Sequence, residues 1–294
     1  SVFKSGHSSD RLCLSLARPS IVQGRDPFGS SPSLRRVRPR VSFRHEAGYA
    51  AVSVEIAKGV GAIIVAAGSS SRMPGVDKIF APLAGHPLIW HALDALVRCA
   101  SVGHVALVLS PANLDQATEL VHAQGWTEVT VVPGGKRRQD SVGAGLAALP
   151  ATRWTIVHDG ARPLVAVSTF EAGLNEARLT GAAIAAVPVK DTIKVIDDDS
   201  TVASTPDRST LWVVHTPQVF ATELLVRAHG RIAHDVTDDA SMVELVGGSV
   251  RVFMDSYANI KVTTPEDLVI AEALMASRSS SRPDDTQMTT GAST

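Results

Sequence analysis

The stretch "AIIVAAGSSSRM", residues 62–73, changes abruptly from an apolar run to a loop with almost no side-chain bulk. The run is continuous rather than alternating, as in a strand of a parallel sheet that is covered on both faces. Ala66, Ala67 and Gly68 then let backbone N–H groups approach a ligand closely, and Arg72 adds a planar cation suited to phosphate oxygens. The stretch therefore predicts a nucleotide at the carboxyl end of a first strand.

The same stretch is also compatible with a surface turn that happens to contain an arginine. It is not a P-loop, because no Gly-Lys-Ser/Thr follows it. It also lacks the G-x-G-x-x-G fingerprint of dinucleotide sites, because serines occupy the later glycine positions. A dinucleotide-dependent oxidoreductase is therefore disfavoured.

Composition limits the class of protein. The chain has 294 residues, 45% of them hydrophobic, and a formal net charge of −1, so it has material for a core and no charge bias toward nucleic acid. Cys13 and Cys99 stand far apart and form neither a metal pattern nor a disulfide framework. No apolar run is long enough to span a bilayer. These features predict a soluble protein of a reducing compartment, without a nucleic-acid or membrane partner.

The two ends of the chain differ from its centre. Residues 1–58 are rich in Arg and Ser and poor in acids, and residues 277–294 contain few apolar side chains, so both segments are predicted to be disordered. The basic leader is interpreted either as an organelle transit peptide or as an extension translated from an early start site, and the extension is favoured. A basic arm for nucleic acid is a weaker third interpretation. The predicted location is the bacterial cytoplasm, or a plastid if the leader is a transit peptide.

Residues 59–276 read as one domain in which strands alternate with helices. This alternation predicts an α/β fold with a doubly wound, mostly parallel sheet, and ligand-bearing loops at the carboxyl ends of the strands. From about residue 190 to residue 215 the pattern changes to two extended segments joined by an acidic turn, which predicts a protruding β-arm. The predicted strands lie at residues 62–65, 104–109, 129–132, 155–157 and 182–187.

A basic loop follows the third predicted strand. In "PGGKRRQDSV", residues 133–142, two glycines, three consecutive cations and Ser141 make a loop able to hold the base and phosphates of a nucleotide. A solvated basic turn is the alternative for the K-R-R run.

An acidic residue follows the fourth predicted strand. Asp159 in "VHDGARPL", residues 157–164, is placed to hold a ribose hydroxyl or a Mg²⁺-bound phosphate. It is equally able to cap the next helix or to pair with Arg162.

Cations elsewhere complete the set of candidates. Lys261 is predicted in a short strand, where Ile260 and Val262 point to the opposite face and leave it free to reach a site. Lys78 follows the first loop and is either a surface lysine or a second cation beside Arg72. Arg208, next to the predicted arm, is a candidate anion binder, and a helix is predicted to begin at "TPED", residues 264–267.

Motifs for nucleophilic catalysis are missing from the sequence. It has no G-x-S-x-G elbow, no lone cysteine with a placed histidine and no His/carboxylate cluster at zinc spacing. Cations and small backbone loops recur instead. Phosphoryl or nucleotidyl transfer needs little else, because positioning, Mg²⁺ and charge stabilisation supply most of the acceleration.

Together these motifs resemble the 2-C-methyl-D-erythritol 4-phosphate cytidylyltransferase family, over nearly all of residues 60–276. The resemblance implies a Rossmann-like nucleotidyltransferase fold and Mg²⁺-dependent transfer of the cytidylyl group of CTP to 2-C-methyl-D-erythritol 4-phosphate. It also implies a homodimer in which the arm of one subunit reaches the site of the other. The motifs that carry it are "AAGSSSRM", "DKIFAPLAG", "GGKRRQDSV", "HDGARP", "VPVKDTIK", "DRSTLW", "TPQVF", "TDDASMVE" and "NIKVTTPEDL".

The same resemblance implies roles for individual residues. Charge on the α-phosphate in the transition state would be neutralised by Arg72, Lys78 and Lys261. The nucleotide would be bound by Ala66, Ala67, Gly68, Gly135, Ser141 and Asp159. The acceptor would be bound by Asp159, Thr192, Arg208 and Thr216, and the metal would be held mainly by CTP phosphates, with Asp159 as a further ligand. Lys136 and Gly160 depart from residues that are frequent in the family.

Three other functions share some of these sequence features. Ribitol 5-phosphate cytidylyltransferases share the nucleotide half, but "KDTIK" and "NIKVT" favour methylerythritol phosphate. Sugar-1-phosphate nucleotidyltransferases usually have a longer glycine-rich first loop. A non-catalytic nucleotide-binding module would need fewer cations than Arg72, Lys78 and Lys261 together.

Overall fold

The computed structural model describes residues 59–68 and 78–280. Arg72, the predicted leader at 1–58 and residues 281–294 of the predicted tail lie outside the described residues. The strands are β1 Val60–Ala66, β2 Pro82–Leu83, β3 His86–Pro87, β4 Val102–Leu109, β5 Val129–Pro133, β6 Trp154–Asp159, β7 Gly181–Pro188, β8 Val195–Ile196, β9 Val202–Ser204, β10 Trp212–Ala221 and β11 Ser249–Met254. The α-helices are α1 Leu88–Val97, α2 Leu114–Gln124, α3 Arg138–Ala148, α4 Val167–Thr180, α5 Thr222–Arg231, α6 Asp239–Leu245 and α7 Pro265–Ser280.

Within the part of the chain that the structure describes, seven strands form a central sheet in the order β11-β7-β10-β6-β1-β4-β5. All neighbouring pairs are parallel except those of β10, which runs antiparallel to both β6 and β7. The chain passes from β1 to β4 and β5 on one side and then returns to β6 on the other. β1 and β6 therefore flank a topological switch point, where α/β sheets bind ligands.

Apolar side chains cover both faces of this sheet. Ala62 and Ile64 of β1 pack in a cluster with side chains of α1, α2 and α4, whereas Ile63 packs in a cluster with side chains of α3, α5 and α6. Because successive side chains of a strand point to opposite faces, the domain has three layers with helices on both sides of the sheet. This burial on both faces explains the continuous apolar run in the first motif.

The predicted doubly wound, mostly parallel sheet is confirmed. The five apolar runs lie in β1, β4, β5, β6 and β7. The predicted start of the last helix is also found, because α7 begins at Pro265 and the side chains of Thr264 and Asp267 bond reciprocally to each other's backbone N–H groups.

Two predicted boundaries differ from the structure. β8 and β9 form an antiparallel hairpin, but β10 already begins at Trp212, where it pairs with Pro188 of the central sheet. The arm therefore comprises residues 189–211, and residues 212–215 belong to the sheet. At the other end, α7 continues to Ser280, so residues 277–280 are helical rather than part of the predicted tail.

Candidate active site

A cleft opens at the carboxyl ends of β1, β5 and β6, and we call it the β1 cleft. Parallel strands end at the same edge of a sheet, so residues that follow three different strands meet there. The predicted site residues that line the cleft are Ala66, Ala67, Gly68, Lys78, Gly135, Ser141, Asp159 and Lys261. The cleft thus brings together most of the residues predicted for the nucleotide and for charge stabilisation.

The basic loop forms one wall of the β1 cleft. The N–H of Gly135 donates to Ser141 Oγ at 3.2 Å, and Ser141 lies in the first turn of α3. A Cβ on Gly135 would come within 2.4 Å of the Cβ of Asp140, so this position requires glycine for the loop to pack on the helix. In this structure Ser141 supports the loop, and its contact with a nucleotide stays a prediction.

Asp159 is the charged centre of the site. It is the last residue of β6, next to Val65 in the sheet, and its side chain is only 11% exposed. Lys261 Nζ lies 2.8 Å from Oδ2, Arg138 Nη2 lies 3.3 Å from Oδ1, and Arg162 Nε lies 3.8 Å from Oδ2. The predicted pair with Arg162 is therefore found, together with two further cations, whereas the contact of Asp159 with a ribose or a metal-bound phosphate stays a prediction.

These cations determine the ionisation of Asp159. Burial raises the pKa of its carboxyl group, but the charges of Arg138 and Lys261 outweigh burial and hold that pKa well below its usual range. Asp159 is therefore an anion at neutral pH, and it holds three positive groups together.

Arg138 is a site residue to which the sequence assigned no individual role. It begins α3, lines the β1 cleft and bonds both to Asp159 and to the buried carboxylate of Asp239, at the start of α6. Its neighbour Arg137 is half-exposed and pairs with Asp140 and Asp235. The K-R-R run marked the segment, but only tertiary contacts distinguish the partly buried Arg138 from the more exposed Arg137.

Lys261 is not in a strand, contrary to the prediction. The segment before α7 is irregular, and its backbone link to the core is one hydrogen bond from Val262 N to Ala161 O at 2.8 Å, too little for a ladder. Val262 is buried under α7, and Ile260 packs against the same cluster. Ile260 and Val262 therefore point away from Lys261, as predicted, although no strand forms. The half-exposed Lys261 is directed at Asp159.

A buried relay positions the backbone of Asp159. The His158 ring is fully buried, and burial lowers its pKa to about 4, so it is neutral at pH 7. Its Nε2 lies 3.3 Å from Arg162 O, which can only accept, so Nε2 carries the proton. Nδ1 then accepts from the Thr216 hydroxyl at 3.0 Å, and Thr216 Oγ1 accepts from the N–H of Asp159 at 2.9 Å.

The predicted acceptor residues lie in two places. Thr216 lies in β10 just outside the residues that pair with β6, which begin at Gln218, and its side chain rather than a backbone carbonyl accepts from the N–H of Asp159. Thr192 and Arg208 lie in the arm, where Arg208 donates to Lys190 O at 2.7 Å. Neither lines the cavity beside Thr216. Their contacts with an acceptor stay predictions.

Two further cavities adjoin the β1 cleft. The β10 cavity is lined by Thr216, Gln218 and Asp238, and the β7 cavity by Pro188, Lys190 and Tyr257, among others. Arg138, Asp159 and Lys261 line both the β1 cleft and the β10 cavity. Arg162, His215 and Lys261 line both the β10 cavity and the β7 cavity. Lys261 thus borders all three.

The site offers few ligands for a metal. Among residues 59–68 and 78–280, no group of three His, Cys, Asp or Glu side chains is placed to hold an ion. Asp159 is the one carboxylate in the described lining of the β1 cleft, and three cations already surround it. This donor set fits a Mg²⁺ that is coordinated mainly by phosphate oxygens and water, and it does not fit a structural zinc site.

Lys78, Gly160 and Lys136 are further residues that the sequence singled out. Lys78 begins a short 3₁₀ helix, Lys78–Phe80, in which Ile79 is buried and anchors the segment. A Cβ on Gly160 would lie 2.5 Å from Ile89 Cδ1 and 3.0 Å from the Cβ of Ala66. The departure at Gly160 is therefore matched by Ile89, which fills the space. Lys136 lines the β1 cleft.

A doubly wound sheet with a side-chain-poor loop and converging cations at its switch point defines an α/β nucleotidyltransferase. A family model described as "IspD: 2-C-methyl-D-erythritol 4-phosphate cytidylyltransferase" matches residues 60–277. The chain belongs to this family.

Individual relatives agree with the family match. A 2-C-methyl-D-erythritol 4-phosphate cytidylyltransferase of Dehalococcoides mccartyi is 46% identical over 217 residues, covering 74% of this chain and 96% of that protein. One of Prochlorococcus marinus is 44% identical over 223 residues, covering 74% and 98%. A solved structure, the 4-diphosphocytidyl-2C-methyl-D-erythritol synthase of Anaerococcus prevotii, has a TM-score of 0.68 and 32% identity, covering 74% of this chain and 96% of that one.

Among the described residues, none of the helices combines the length and the apolar character that crossing a bilayer requires.

Proposed function

We propose that this chain transfers the cytidylyl group of CTP to 2-C-methyl-D-erythritol 4-phosphate, giving 4-diphosphocytidyl-2-C-methyl-D-erythritol and pyrophosphate, for isoprenoid precursor synthesis. Membership of the family supports this reaction. The structural observation that carries it is the shared border of Arg138, Asp159 and Lys261 between the β1 cleft and the β10 cavity. A donor in one and an acceptor in the other would meet at these charges.

The reaction needs no nucleophilic side chain. A phosphate oxygen of the acceptor attacks the α-phosphorus of CTP, a new P–O bond forms, and the bond to the pyrophosphate oxygen breaks. Lys261, which pairs with Asp159 here, would turn its charge to the α-phosphate as negative charge develops there. Arg138 and Arg162 would then remain as counter-charges of Asp159.

Mg²⁺ is part of this proposal. It would neutralise the triphosphate and the departing pyrophosphate, with phosphate oxygens as its main ligands and Asp159 as the nearest protein carboxylate. Lys78 lines the same cleft and would contribute charge beside the phosphates. Arg72 has the same predicted role.

A homodimer is the second part of the proposal. The arm exposes apolar side chains in both of its strands, and its residues Thr192 and Arg208 do not line the β10 or the β7 cavity of their own chain. A partner subunit would cover this apolar surface and receive the two polar side chains at its acceptor site. Val202→Asp, in the arm, should give a monomer with a raised acceptor KM. Val226→Asp on α5 is the matched control, because both valines are 51% exposed.

Pyrophosphate release tests the reaction. CTP and Mg²⁺ are supplied with either 2-C-methyl-D-erythritol 4-phosphate or ribitol 5-phosphate as acceptor. Release with the first acceptor alone is the expected result. Release with ribitol 5-phosphate alone would keep the chemistry and overturn the acceptor, and no release with either would overturn the proposed activity.

A further inference from the structure

His215 forms a buried pair with Asp255 beside the acceptor cavities. His215 Nδ1 lies 2.9 Å from Asp255 Oδ2, and Asn259 Nδ2 donates to the same oxygen at 2.7 Å. Burial raises the pKa of Asp255, but the hydrogen bonds from His215 and Asn259 outweigh burial and hold that pKa below its usual range. Because an ionised carboxylate only accepts, Nδ1 of His215 must carry a proton. The orientation of the ring is thereby fixed.

The other ring nitrogen remains available to a ligand. Nε2 of His215 makes no hydrogen bond to any of the described residues, although the side chain is only 9% exposed. The ring lines both the β10 cavity and the β7 cavity. The two other residues shared by these cavities are Arg162 and Lys261. The border between the cavities therefore consists of three nitrogen-bearing side chains, which is the chemistry that binds a phosphate.

A second unpartnered donor lies in this border. Arg162 Nε is buried without a hydrogen-bond partner among the described residues, and its nearest carboxylate oxygen, Asp159 Oδ2, is 3.8 Å away. The other end of the guanidinium donates to Asn259 O at 2.7 Å. Asn259 thus contacts both Asp255 and Arg162, and it couples the orientation of the imidazole to that of the guanidinium.

We propose that His215, oriented by Asp255, binds the phosphate of the acceptor as an imidazolium whose Nε2–H donates to a phosphate oxygen. The proposal rests on the transfer reaction proposed above and adds a residue that determines acceptor binding. It makes acceptor affinity dependent on pH, because loss of the proton from the ring removes both the charge and the donor at Nε2.

Several other charged or titratable groups surround the ring. Asp255 follows β11, Arg162 follows β6, and Lys261 precedes α7. Across the two cavities, the further charged or titratable side chains are Arg138, Asp159, Lys190, Asp191, Asp238, Glu244 and Tyr257. Among the described residues that line these two cavities, His215 is the one histidine.

His215→Gln tests the proposal. The amide can still donate to Asp255, but it carries no charge and does not titrate. The KM values for the acceptor and for CTP are measured from about pH 7 to about pH 8.5, above the titration of the acceptor's own phosphate near pH 6. The variant should raise the acceptor KM about tenfold near pH 7, as expected for losing a charged hydrogen bond, and leave the KM for CTP within about twofold.

The pH profile separates binding from a structural role. The acceptor KM of the unaltered chain should rise with pH, and the profile of His215→Gln should be flat. His122→Gln, an exposed histidine on α2, is the control and should match the unaltered chain. A flat profile in the unaltered chain would overturn the proposal even if the variant failed to fold. An unchanged acceptor KM in a folded His215→Gln would also overturn it, whereas an unaltered chain without activity would instead refute the proposed function.

Discussion

Lys261 Nζ lies 2.8 Å from Asp159 Oδ2, although one residue ends a central strand and the other lies in the irregular segment before the last helix. The pair sits where the β1 cleft meets the β10 cavity. A phosphate entering there would compete with Asp159 for the lysine. The contact therefore holds Lys261, the cation proposed for the transfer, in place before a phosphate enters.

Lys261→Ala should lower kcat about 100-fold or more and leave the affinity for CTP largely unchanged, because the lysine acts on charge that develops in the transition state. Folding should be retained, since Asp159 keeps Arg138 and Arg162 as partners. Steady-state kinetics and thermal unfolding measure the two effects. Arg98→Ala, which removes an exposed cation directly after α1, is the control for general loss of charge. Unchanged turnover in Lys261→Ala would remove the residue from the mechanism.

Thr216→Val should destabilise the protein by about 2 kcal/mol and also reduce turnover. The change keeps the shape of the side chain but leaves the N–H of Asp159 and Nδ1 of His158 without partners in a buried place. Chemical denaturation and steady-state kinetics measure these losses. Thr216→Ser keeps the hydroxyl and should recover most of both. Equal behaviour of the two variants would show that the relay does not position Asp159.

Stability should fall on acidification from about pH 6.5 toward pH 4. Burial lowers the pKa of His158 to about 4 from its ordinary value of 6.5, so in this range the unfolded chain binds a proton that the folded protein does not. The free energy of unfolding therefore decreases with falling pH, by up to about 3 kcal/mol from this one group. Carboxylates with lowered pKa values, such as Asp159 and Asp239, add to the loss at still lower pH.

Denaturation at a series of pH values measures this slope. His158→Asn keeps an acceptor for the Thr216 hydroxyl but cannot titrate, so its stability should depend less on pH in this range. His122→Asn, on the exposed side of α2, should retain the full slope. A slope that survives in His158→Asn would assign the effect to other groups.

Gly160→Ala should destabilise this chain by about 1–2 kcal/mol. The added methyl would lie 2.5 Å from Ile89 Cδ1 and 3.1 Å from Ile64 Cγ2, which overpacks the core behind β1. Because Ile89 Cδ1 is the end of a flexible side chain, adding Ile89→Val should restore part of the loss. Ile89→Val alone, which costs about 1 kcal/mol, is the reference. Full stability of the single Gly160→Ala variant would mean that the surrounding core adapts without Ile89.

Local patterns predicted the elements of the domain well. The apolar run before Ala66 gives β1, the alternation of strands and helices gives the doubly wound sheet, and Thr264 with Asp267 marks the start of α7. Lys261 reaches the site as predicted, but from an irregular segment. The direction of Lys261 depends on the burial of Val262, which the apolar character of that residue already indicates. Strand formation depends on a neighbouring strand edge, and the sequence does not show whether one is there.

By itself, then, the sequence determined the switch-point site, because parallel strands place their following loops together whatever the details of packing. Only the tertiary structure decided which polar groups are partners there: Arg138 with Asp239, Thr216 with His158, and His215 with Asp255. Secondary structure follows from periodicity within a few residues. A buried hydrogen bond joins residues that are distant in the chain, and its partner is fixed by which elements lie side by side in the folded domain.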